Sequence, residues 1–123
     1  MNFSFLFNFC EKNNVSLLKG KFKDTLPNFN KDINILHIDC DLYSSTKTVF
    51  KWLDKRIVEG TIILFDEYFN YPFWENHEYK AFQEFVNENK IEYKYLCYSS
   101  KKFGSKVAVR ILKRTANKKH VAL

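Results

Sequence analysis

Apolar positions change their period several times along the chain, and each change predicts an element. Phe3, Leu6, Phe7 and Cys10 recur at three-and-four spacing, which marks the end of an amphipathic helix. Val15 to Lys19 is a short strand candidate closed by Gly20, and Asp24-Thr-Leu-Pro27 has turn or helix-start chemistry. Ile33 to Ile38 and Thr61 to Phe65 are apolar runs of the kind that form parallel strands covered on both faces. Both should therefore be central, with Leu36, Ile38, Ile63 and Phe65 almost inaccessible. Between them Ser44-Ser45 offers an N-cap, and Val49, Phe50, Leu53 and Ile57 line one helical face up to Gly60, which makes a βαβ crossover.

Tyr68 to Trp74 is an aromatic loop, and Glu75 to Asn89 is helical again, with Ala81, Phe82, Phe85 and Val86 on the inner side. Ile91 to Tyr98 and Lys106 to Leu112 read as strands joined by a loop short enough for a hairpin and too short for a parallel crossover. The fold class is therefore α/β, with parallel central strands and a C-terminal antiparallel hairpin, in one domain over residues 1–112 followed by a basic tail, 113–123.

Composition narrows the function classes. With 46% hydrophobic residues in 123, the chain can bury one core and is not disordered. The net charge of +6 gathers in Lys101, Lys102, Lys106 and the tail Lys113, Arg114, Lys118 and Lys119. Nucleic-acid binding needs basic residues arrayed on a folded face, so this distribution reads as a solvated end. Cys10, Cys40 and Cys97 are odd in number and unpatterned, which argues against a disulfide framework or a zinc site and fits a reducing, cytoplasmic setting. The N-terminus lacks a basic n-region and a cleavage site, and no run approaches the ~20 apolar residues of a membrane span. A soluble protein without membrane contact is expected.

The candidate chemistry lies where the two apolar runs stop. In an open α/β sheet, ligands bind beyond the carboxyl ends of the strands, so Asp39, Asp41, Asp66 and Glu67 should converge on one crevice. Oxygen ligands of this kind suit Mg²⁺, Mn²⁺ or Ca²⁺. Asp39 and Asp41, two apart, project to one face if the strand continues, while Cys40 points away. His37 shares the face of Asp39 and is placed to orient a ligand; a core histidine satisfied by a backbone group is the more ordinary use of such a residue. Asp at a strand end also commonly caps the next turn or helix, which fits Asp41 alone better than Asp39, Asp66 and Glu67 together.

Leu36-His-Ile-Asp-Cys-Asp-Leu-Tyr-Ser-Ser-Thr-Lys47, followed by Gly60-Thr-Ile-Ile-Leu-Phe-Asp-Glu-Tyr68, resembles the macrocin O-methyltransferase family over about Val15 to Ile111. That family comprises class I S-adenosylmethionine-dependent enzymes, several of which methylate sugar hydroxyls with the help of Mg²⁺. Asp39-Cys-Asp41-Leu-Tyr43 matches the family's Asp-Gly-Asp-Leu-Tyr at the fourth strand, and Asp66-Glu67 matches its acidic pair at the fifth. The resemblance implies Asp39, Asp66 and Glu67 as metal ligands, with Asp39 also the base for the acceptor hydroxyl; His37 and Asp41, by their places at the strand end, are candidates to support those ligands. Cys40 replaces the usual glycine and Glu67 a frequent aspartate, which should shift the metal slightly. The aromatic loop, with Tyr68, Tyr71 and Trp74, would border the acceptor site; its alternative use is to cover the end of the sheet.

By the same resemblance the chain is a truncated domain, running from the third strand to the seventh of a Rossmann-like sheet of order 3-2-1-4-5-7-6. The first two strands, which carry the Gly-rich turn and the ribose-binding acid of the cofactor site, are missing. An apolar edge at Ile33 to Ile38 would then be bare, to be covered by Val15 to Lys19, a second copy or a further segment. Three function classes follow: a metal-assisted O-methyltransferase, a noncatalytic remnant or interaction module of that family, and, from the basic charge, a nucleic-acid binder.

Overall fold

The computed structural model describes residues 12–100 and 102–115. The helix expected over Phe3 to Cys10, Lys101 and the tail from residue 116 onward lie outside them. Four strands form one mixed sheet: β1 (Ile35–Ile38), β2 (Ile62–Phe69), β3 (Ile91–Tyr98) and β4 (Ser105–Arg114), in the spatial order β1-β2-β4-β3. β1 and β2 are parallel, with Leu36 opposite Ile63 and Ile38 opposite Phe65. β4 runs antiparallel to both β2 and β3, so the hairpin is as expected and its return strand is inserted beside β2.

Among the described residues three α-helices accompany the sheet. α1 (Phe22–Thr25) is a single turn, α2 (Tyr43–Leu53) is the crossover between β1 and β2, and α3 (Glu78–Glu88) links β2 to β3. In α2 the buried residues are Thr46, Val49, Phe50 and Leu53; in α3 they are Glu78, Ala81, Phe82, Phe85 and Val86. Both sets follow the i, i+3, i+4, i+7 rule of a face laid on a sheet. The two faces meet through Phe50 and Phe85, stacked at 4.5 Å, and Phe82 stands edge-on to Phe65 of β2 at 5.0 Å. Such aromatic pairs add to the burial of their area. At the other end of the sheet Thr61, buried, donates its hydroxyl to the carbonyl of Ile33 at 2.6 Å and so ties the starts of the parallel strands together.

Several expectations are corrected. β1 is an edge strand among the described residues, and α2 and α3 pack on one face of the sheet only. Ile38, Ile63 and Phe65 are buried as expected, but Leu36 is only half-buried: among the described residues no strand flanks β1 on its outer side. The opposite face carries Ile35, 67% exposed, with His37 and Arg110 also exposed. Val15 to Lys19 forms no strand; it finds no ladder to join, and Val15 and Leu18 are exposed. Ser44 and Ser45 lie in the first turn of α2 and do not cap it, the cap position being Leu42. The helix expected over Glu75 to Asn89 opens instead as a 3₁₀ turn, Trp74–Asn76, before α3.

Two strands outrun their expected ends. β4 continues through Lys113 and Arg114, and Arg114 is no tail residue: its guanidinium bonds the Asp54 carboxylate at 2.6 Å and the Ile57 carbonyl at 2.8 Å. β2 continues through Phe69, so that Asp66 and Glu67 sit inside the strand, in the irregular stretch between Phe65 and Phe69 where its register with β4 shifts.

Candidate active site at the ends of the parallel strands

β1 stops at Ile38, and the alternation of the strand carries His37 and the next residue but one, Asp39, to the open face. Asp66 reaches the same place from β2. One nitrogen of His37 and one oxygen each of Asp39 and Asp66 lie within 4.8 Å of one another. His37 Nε2 is 3.6 Å from Asp66 Oδ1. His37 is thus no core histidine; it is exposed and faces the carboxylates.

Charge balance at this cluster comes from a residue the pattern of apolar runs gave no reason to single out. Lys106, on β4 beside β2, forms a close salt bridge with Asp66. The ammonium holds the Asp66 carboxyl below the usual carboxylate range. Asp39, exposed, is shifted the other way: the hydrogen bond to Asp66 and the neighbouring Asp66 charge raise its carboxyl. Lys106 was visible in the sequence only as part of a basic stretch in the hairpin.

Asp41 and Glu67, expected in the same cluster, are not among the residues whose ligand atoms come together. Asp41 adopts a left-handed backbone, φ 62°, which ends the alternation after Asp39 and turns the chain into α2. Glu67 points toward the hairpin loop, where Gly104 (φ 68°) leaves room: a Cβ there would stand 3.8 Å from Glu67 Cγ and Oε1. Cys40, at the family's glycine position, has no left-handed backbone to require a glycine; its sulfur turns away from Asp39 to lie 3.4 Å from Thr46 Oγ1.

Behind both turns sits a second residue that sequence reasoning missed. Glu78, the first residue of α3, is buried, and its two oxygens accept the backbone N–H groups of Asp41 and Glu67, each at 3.2 Å. Burial pushes its carboxyl up to about 7 against the pull of those two bonds. The signal was present: Glu78 lies three, four and seven residues before Ala81, Phe82 and Phe85, so helical spacing puts a carboxylate on the apolar face.

The aromatic residues divide. Tyr68 is buried, its ring against Phe65 and Tyr79 and its hydroxyl bonded to that of Tyr95 at 2.9 Å, so it belongs to the core. Tyr71 stacks on His77 and donates its hydroxyl to the carbonyl of Glu67 at 3.3 Å. Trp74 stands edge-on to Tyr79 at 5.0 Å and lines, with Tyr68, Tyr95, Tyr98 and Val107, an apolar groove of about 550 Å³ on the helix-covered side. That groove holds none of the acidic cluster.

This fold is one found in methyltransferases. Over 76% of its length the chain matches the apo structure of CalS11, a TDP-rhamnose 3'-O-methyltransferase of calicheamicin biosynthesis, with a TM-score of 0.57 and 23% identity, and it spans 41% of that enzyme's chain. In sequence, the profile of the macrocin-O-methyltransferase (TylF) family matches residues 2–96, and the chain belongs to that family. No curated protein matches it. Among the described residues no helix is long and apolar enough to cross a membrane.

Proposed function

We propose that this chain supplies the metal and acceptor half of an S-adenosylmethionine-dependent O-methyltransferase acting on a hydroxyl of a sugar or other small molecule. The observation that carries this reading is the convergence of His37, Asp39 and Asp66 at the ends of two adjacent parallel strands. The sheet order β1-β2-β4-β3 also coincides with strands 4-5-7-6 of the order the family resemblance implies. One imidazole nitrogen and two carboxylate oxygens at such spacing fit a divalent cation, and the imidazole favours Mn²⁺ over Mg²⁺ relative to an all-oxygen set. When bound, the ion would lower the pKa of the acceptor hydroxyl and neutralise its charge. Asp39, exposed and with its carboxyl raised by Asp66, is the group to take the hydroxyl proton, at a carboxylate oxygen. Glu67 remains a further oxygen donor one residue from Asp66.

Calorimetry with Mn²⁺, Mg²⁺ and S-adenosylhomocysteine tests the reading. The chain alone should bind the divalent ions, bind S-adenosylhomocysteine weakly or not at all, and transfer no methyl group, since none of its three glycines opens a cofactor turn. No heat of metal binding would remove the metal site. Methyl transfer to a sugar hydroxyl by these 123 residues would show that the site is not a half.

One observation favours a second reading. Ile35 is 67% exposed on β1, whose sole neighbour among the described residues is β2. An apolar open edge recruits partners, so the chain would act as an interaction module joined by a second copy or a further segment. Sedimentation equilibrium of the chain decides: self-association lost in Ile35→Lys supports pairing of copies along this edge, and a monomer at all concentrations excludes it.

A further inference from the structure

We propose that Glu78 is a positioning residue for the strand-end site: its carboxylate clamps the turn after β1 to the irregular stretch of β2 and thereby sets the separation of Asp39 and Asp66. This rests on the functional reading above.

Three observations carry it. Glu78 is fully buried at the start of α3, yet bonds neither the core nor the acidic cluster; its two oxygens accept one backbone N–H from each strand-end segment. Those donors are Asp41, two residues after Asp39, and Glu67, one residue after Asp66, so the carboxylate bridges the two chains immediately beside the residues that converge. Both donors lie where regular structure fails, Asp41 at φ 62° and Glu67 within the register shift between Phe65 and Phe69. Neither the ladder nor a helix fixes the geometry at these points, and a buried two-acceptor group does. Glu78 acts from the helix-covered side, the carboxylates lie on the open side, and contact with substrate or metal is not needed.

Glu78→Gln keeps the size and one oxygen but turns an amide NH₂ toward one of the two N–H donors. Mn²⁺ binding is followed by electron paramagnetic resonance, and amide hydrogen exchange is followed over residues 39–43 and 66–70, with Val107 to Ile111 of β4 as the internal control. The expected result is Mn²⁺ affinity weaker by roughly 10–100-fold, as for other residues that orient metal ligands, with both segments exchanging faster and the β4 amides unchanged. Affinity within about twofold of the unmodified chain, where a change of that size is under 0.5 kcal/mol, would overturn the clamp, as would loosening of one segment only. If the unmodified chain takes up no Mn²⁺, the functional reading fails and hydrogen exchange alone judges the clamp. If the variant does not fold, the unmodified chain still decides: the amides of Asp41 and Glu67 should be released together, and independent exchange rates would refute the bridge.

Discussion

Lys106 on β4 and Asp66 on β2 form a salt bridge at the point where the register between their strands shifts, and this places a fixed cation next to the paired carboxylates. The Lys106 ammonium already answers part of the charge that a divalent ion would answer. Lys106→Gln should therefore lower the melting temperature in the absence of metal, because Asp39 and Asp66 then face each other without a counter-charge. The same variant should show a larger rise on addition of Mn²⁺ than the unmodified chain, and Mn²⁺ binding tighter by roughly tenfold, the lower end of what residues around a metal site contribute. Thermal melts at matched ionic strength check both halves, and unchanged or weaker Mn²⁺ binding would show that Lys106 does not compete with the ion.

Asp66 is the member of the cluster bonded to all the others, and Asp66→Asn should abolish the metal-dependent rise in melting temperature. His37→Gln should discriminate between ions, since imidazole is preferred by Mn²⁺ and carboxylate suits Mg²⁺ equally well. The Mn²⁺-induced rise should fall while the Mg²⁺-induced rise is little changed. Equal loss for both ions would mean that His37 only shapes the carboxylates.

The one-sided packing of the sheet predicts unequal costs for two apolar residues on neighbouring strands. Phe65 is buried beneath Phe82 and Phe50, and Phe65→Ala should cost about 3–5 kcal/mol. Ile35, 67% exposed, should tolerate Ile35→Thr within about 0.5 kcal/mol. Urea titrations of the two variants measure the difference; a large loss at Ile35 would mean that its face is covered in solution.

The parallel pair, the crossover and the hairpin were legible because each rests on local periodicity: Val49, Phe50 and Leu53 at helical spacing, or Ile91 to Tyr98 as an unbroken β-rich run. Which strand is an edge is a matter of global topology, and so Leu36, apolar and in a strand, gave no sign that it would be half-buried. Asp39 and Asp66 were legible as strand-end acids. Asp41 was lost from the cluster because a single left-handed residue breaks the alternation that placed it, and Glu67 because its side chain reaches toward Gly104 of the hairpin loop while Asp66, one residue before, faces His37. Lys106 approaches from a strand forty residues away, and no short-range pattern encodes that meeting.

Glu78 also makes stability depend on pH, with a sign that its burial dictates. Its carboxyl is raised from an ordinary 4.5 to about 7, so between those values the folded chain holds a proton that the unfolded chain has released. Stability must then fall as pH rises through that interval: the contribution is complete below about pH 4.5 and gone above about pH 7. A displacement of this size corresponds to at most on the order of 3 kcal/mol. The charges that face the group, Asp41 and Glu67, act in the same direction, whereas Asp66, whose carboxyl is lowered by Lys106, contributes the opposite slope only in more acidic solution. Urea unfolding at half-unit steps from pH 5 to pH 8 should show the decline in the unmodified chain and its loss in Glu78→Gln, which has no proton to release. Stability that rises toward neutrality, or an equal decline in the variant, would mean that the buried carboxyl of Glu78 is not the group that titrates.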